Sequence, residues 1–94
     1  MDACTLIAAL ETHVQTTGGG WANEKALAEF RRLARELINA LDRPQLRHRV
    51  EFACELAEHF YSARSHHRRG RAAAHVHSAI LADLASIRNA IAAP

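Results

Sequence analysis

Ala26-Leu27-Ala28-Glu29-Phe30-Arg31-Arg32-Leu33-Ala34-Arg35-Glu36-Leu37-Ile38-Asn39-Ala40-Leu41, followed by Asp42-Arg43-Pro44, is the stretch that decides the fold. At about 100° per residue, Ala26, Leu27, Phe30, Leu33, Ala34, Leu37, Ile38 and Leu41 fall in a sector of about 140°. Arg32, Arg35, Glu36 and Asn39 lie outside it. A helix so divided buries one side against neighbours and keeps the other in water. Asp42-Arg43-Pro44 then breaks the ladder and restarts it. Pro44 has no N–H to lose in a first turn, and Asp42 or Arg43 becomes the new cap. So short a connection predicts two helices folded back on each other.

The same periodicity extends in both directions. Downstream, a third helix is expected over 44–67, burying Leu46, Val50, Ala53, Leu56, Ala57 and Phe60. Gly70 punctuates the chain before a fourth helix over 71–92, with Ala73, Val76, Ile80, Leu84, Ile87 and Ile91 inward. Seven alanines between Ala72 and Ala90 thin its other faces and let a neighbouring helix come close. Upstream, residues 1–17 read as a shorter N-terminal helix, with Asp2 as cap and Ala3, Ile7, Leu10 and Val14 on one side. Gly18-Gly19-Gly20 is a joint, since consecutive glycines lose too much backbone entropy to remain helical. Trp21 follows it and is expected to pack over the bundle end before the long helix of 21–42. No segment alternates with period two. The expected fold is an all-α antiparallel helical bundle, three long helices plus a shorter N-terminal one, forming a single domain over residues 1–94.

Composition agrees with a globular chain, at 49% hydrophobic and 23% charged residues. No apolar run approaches the ~20 residues of a membrane helix. The start, Met1-Asp2-Ala3-Cys4, lacks the basic region of a secretion signal, so a cytoplasmic location is expected. Cys4 and Cys54 are then packed thiols rather than a disulfide framework. No cofactor is expected.

Charge is unevenly distributed. Residues 1–30 carry four acids and one base, whereas residues 59–77 carry four bases and no acid. All four of those bases lie in Arg64-Ser65-His66-His67-Arg68-Arg69-Gly70-Arg71. Cations on the last turn of the third helix complement its dipole and explain Arg64, His66 and His67 without a ligand. Arg69 and Arg71 would stand against the positive start of the fourth helix, with Arg68 beside them. Arg64, His66, His67, Arg68, Arg69 and Arg71 are therefore the candidate site for an anion or nucleic acid, through phosphate contacts. Base stacking is poorly supplied there, with only Phe60 and Tyr61 near.

Histidine chemistry gives a third set of candidates. His48, Glu55, His59 and His66 form one polar stripe, and Glu55 with His59 one turn apart could supply two ligands to a metal ion. His77 falls in the apolar sector of its helix and is expected to bond a backbone carbonyl. His66-His67-Arg68-Arg69-Gly70 is similar over five residues to the His-x-x-Lys-Gly of histidine phosphotransfer domains, with arginine for lysine. It lacks the apolar residue that precedes the basic one there, and it falls where a helix is expected to end. No nucleophile–base–orienter set or phosphate loop stands out.

Helices of this length with such wide apolar sectors outgrow a thin 94-residue bundle, so self-association as a dimer is expected. The leading functional expectation is a small non-enzymatic interaction or regulatory protein acting through helix packing. Binding of nucleic acid or an acidic protein at the basic corner is the alternative, and no membrane partner is expected.

Overall fold

Asp2, Asn23 and Arg43 each start a helix, and each does so by a bond that can be named. Asp2 Oδ1 accepts the Thr5 N–H at 2.8 Å, and that bond holds the carboxyl below its ordinary range. Asn23 Oδ1 accepts the Ala26 N–H at 2.9 Å. The Arg43 carbonyl accepts from the N–H groups of Leu46 and Arg47, at 3.1 and 3.2 Å, with Pro44 in the first helical position. The resulting helices of the computed structural model, which describes residues 2–17, 23–61 and 71–93, are α1 (Ala3–Thr16), α2 (Glu24–Ala40), α3 (Pro44–Tyr61) and α4 (Arg71–Ala92). Among the described residues there is no strand.

The four helices close into a ring. Each packs against its neighbour in sequence, and α4 returns to pack against α1. The body measures 40 × 21 × 21 Å, and at ~1.5 Å per residue the 22 residues of α4 nearly span its length. Leu6, Ile7, Leu10 and Val14 of α1 fill the middle with Phe30 and Leu37 of α2, Val50 of α3, and Ile80, Leu84 and Ile87 of α4. None of these is more than 2% exposed. Each such Leu, Ile or Phe removed from water is worth about 1.5–3 kcal/mol, which is where most of the fold's stability arises.

Several sequence expectations need correction. The three helices expected to be long are not all so: α2, α3 and α4 have 17, 18 and 22 residues, beside 14 for α1. The second helix stops at Ala40, short of the expected 42. Leu41 turns extended (φ −93°, ψ 136°), and its carbonyl instead accepts from Arg47 Nε at 2.8 Å. Leu56, Val76 and Ile91 are only partly buried, whereas Tyr61, absent from the expected core, has no exposed surface. The expected continuation of α3 to residue 67, the joint Gly18-Gly19-Gly20 and Trp21 lie outside the described residues.

Candidate functional site

At one end of the bundle, the end of α1, the start of α2, the end of α3 and the first turns of α4 are bonded together. His13 Nε2 lies 2.8 Å from the Ala26 carbonyl, and His77 Nε2 lies 2.9 Å from the Val14 carbonyl. A carbonyl only accepts, so both rings carry their proton on Nε2. The Asn23 N–H donates to the Tyr61 carbonyl at 2.7 Å. The Tyr61 ring stands edge-on to Phe60, with centroids 4.8 Å apart, and Phe60 in turn lies 5.2 Å from the His77 ring. The expectation that His77 bonds a carbonyl is met. These polar groups are spent on joining helices, and the protons they hold run to backbone oxygens.

The face shared by α3 and α4 is different. Arg43 Nη2 donates to the Ala90 carbonyl, Arg49 Nη2 donates to Ser86 Oγ, and Phe60 meets His77. Asp83, three residues before Ser86 on α4, lies within reach of the Arg49 charge. Its Oδ2 is buried and has no hydrogen-bond partner. Burial pushes its carboxyl above the ordinary range, and the Arg49 charge opposes that only in part. Phe52, one turn beyond His48 and one turn before Leu56, is 54% exposed. Its helical position explains why: it falls well outside the sector of Leu46, Val50, Ala53, Ala57 and Phe60.

A third feature is an open groove of ≈ 570 Å³ between α1 and α2, lined by Thr5, Ala8, Thr12, His13, Glu29 and Arg32 among others. Arg32 bonds Glu29 at 2.5 Å and Glu36 at 3.2 Å. The bond to Arg32 lowers the Glu29 carboxyl, and the same bond raises the arginine, so the groove wall carries a mutually satisfied pair. It offers a prospective ligand no unspent charge.

Of the residues singled out from sequence, Arg64, His66, His67, Arg68 and Arg69 lie outside the described residues. Arg71 is the first residue of α4. Glu55 and His59 are both exposed on α3, one turn apart. Among the described residues no group of three or more His, Cys, Asp and Glu side chains could hold a metal ion. His48, the next member of that stripe, faces Glu51 at 3.5 Å. Sequence reasoning passed over Phe52 and Asp83. The signal for Phe52 was available, since an aromatic flanked by Glu51, Glu55 and His48 cannot belong to the same buried side as Val50 and Ala53.

No known protein family matches the chain, nor does any curated protein or solved structure. Among the described residues no helix is long and apolar enough to cross a membrane.

Proposed function

We propose that the protein is a small non-enzymatic interaction module that works by helix packing and self-association. Its contact surface is the outward face of α3 around Phe52. The helices run antiparallel in this reading, which sets α3 and α4 side by side as one continuous platform. The opposite order of the pairs Arg43–Ala90, Arg49–Ser86 and Phe60–His77 along the two helices supports it.

The observation that carries the proposal is Phe52. It is the one exposed large apolar side chain among the described residues, while the other large apolar groups are buried or half-buried. With 54% of its surface still in water, Phe52 forgoes about half of the ~1.5–3 kcal/mol that full burial brings, which a partner surface would recover. Aromatic side chains of this kind are the usual anchors of protein interfaces. Exposed positions of α4 such as Ala82 and Ser86, the latter bonded to Arg49 on α3, carry side chains too small to block an approaching helix.

Light scattering on the eluting protein, from about ten to several hundred micromolar, tests the proposal. A mass near twice the 10.4 kDa chain is expected in the upper part of that range. A strict monomer throughout would overturn it.

A further inference from the structure

On the outward face of α2, away from Phe52, we infer a site for the phosphate group of a small phosphorylated molecule, held above Ala28 by Arg31, Arg32 and Arg35. These four residues and Asn39 fall in a sector of about 100° around the helix, and all are exposed. A cavity of ≈ 350 Å³ lies among them, lined otherwise only by Ala28's neighbour on the next turns, Glu36. Ala28 contributes a single methyl group. The long side chains three, four and seven residues further on therefore enclose space that a larger residue at 28 would fill.

The three guanidinium groups are not equally engaged. Glu58 on α3 holds Arg31 from one flank, and Glu29 and Glu36 hold Arg32 from the other, at 2.5 and 3.2 Å. Those pairs fix the two outer groups and leave each of them further donors to offer. Arg35 lies between them around the helix, and neither it nor the Asn39 amide one turn on bonds a described residue. Glu36 is the one acid in the lining, and Arg32 already engages it. A carboxylate is satisfied by one guanidinium fork, whereas the oxygens of a phosphate can accept from all three groups together. The cavity is at the small end of ligand sites, which suits a phosphate with a short appendage. Glu29 and Glu58 balance the arginines at a distance, so the attraction acts at close range.

Inorganic phosphate is the probe, and the arginine Nε–H signals of isotopically labelled protein are the readout. Sodium phosphate replacing sodium chloride at constant ionic strength is expected to move the Arg35 signal along a saturating curve, with a Kd on the order of a few millimolar. Sodium acetate in its place is expected to bind at least about fivefold more weakly. Arg35→Ala, followed on the Arg31 and Arg32 signals, is expected to weaken phosphate binding at least about tenfold. Ala28→Leu keeps every charge and suits a helix, yet fills the cavity, and a loss of at least about fivefold is expected. Both substitutions fall on exposed positions, and circular dichroism checks that the helices are retained. Shifts that grow without saturating, acetate equal to phosphate, or Ala28→Leu binding like the unaltered protein would each overturn the site. The last of these would show that phosphate meets only a basic surface.

Discussion

The hydroxyl of Tyr61, on a side chain with no exposed surface, lies 2.5 Å from Thr17 Oγ1 and so joins the last residue of α3 to the residue that ends α1. Thr17 Oγ1 also lies 2.6 Å from the His13 carbonyl, which can only accept. The threonine therefore spends its single proton on His13, and Tyr61 must be the donor in the shorter bond. Burial raises the phenol above its ordinary value, which keeps that proton in place.

That proton order makes the two ends of the bond unequal. Tyr61→Phe removes the buried donor together with its need for a partner, and Thr17 still donates to His13. The expected loss is about 1 kcal/mol. Thr17→Val leaves the Tyr61 hydroxyl buried with nothing to accept its proton and takes from the His13 carbonyl the shorter of its two side-chain bonds, the one from Thr16 remaining. An expected loss on the order of 2–3 kcal/mol follows. Urea unfolding of both variants checks the ranking, and the reverse order would show that the tyrosine accepts.

Asn23 holds the start of α2 by two separate bonds, and only one of them belongs to its side chain. Asn23→Ala removes the cap on the Ala26 N–H but keeps the main-chain donation to Tyr61. The expected cost is about 1 kcal/mol, with Asn23→Asp close to neutral. Hydrogen exchange should localise the loss to the first turn of α2. Accelerated exchange spreading equally through α3 would instead show that the two bonds fail together.

The caps and the broad apolar sector of α2 were legible because they are local. Asp2, Asn23 and Pro44 act within one turn of themselves, and the line Ile80–Leu84–Ile87 repeats at the helical period. Tyr61 was not legible. It sits at the edge of the α3 sector, and its burial depends on Thr17, a residue 44 positions away that the chain reaches only once folded. Ile91 was misjudged for a related reason: it lies in the last turn of α4, where burial depends on how far the neighbouring helices reach and not on the period of its own helix. At the α3–α4 face, periodicity could place Phe52 outside the core. The placement of Asp83 near Arg49 depends on the register between the two helices, which the pair Arg49–Ser86 sets and no local pattern encodes.

The two thiols should separate by reactivity. Cys4 is exposed on α1, while Cys54 is half-buried on α3. Burial raises the Cys54 thiol, Arg31 opposes that in part, and Glu51 and Glu55 add to it. Since the thiolate is the reacting form, Cys54 is slowed both by its burial and by a thiol held above its own ordinary range. Iodoacetamide near pH 7.5 is expected to label Cys4 at least about tenfold faster, with Cys54 catching up as urea is added. Equal rates in native protein, resolved by peptide mass, would contradict the packing of α3 against α2.

Asp83 should make the fold less stable at neutral pH than at acid pH. Its carboxyl is raised above the ordinary value of 3.8 because one oxygen is buried without a partner, with Arg49 compensating only in part. Below 3.8 the group is protonated in folded and unfolded chains alike and contributes nothing to the difference. As pH rises from there through the higher folded-state value, the unfolded chain ionises first, and the folded one carries a growing penalty. Above that window the penalty is complete and constant. Asp83→Asn keeps the shape and removes the charge at every pH. Relative to the unaltered protein, its melting temperature is expected to gain on the order of 1–3 °C more at pH 7 than at pH 3. The comparison of differences matters, because every other carboxylate titrates in both proteins and cancels. A gap that stays constant from pH 3 to pH 7 would mean that Asp83 finds a partner or water in solution, and that the α3–α4 face is more open than its burial indicates.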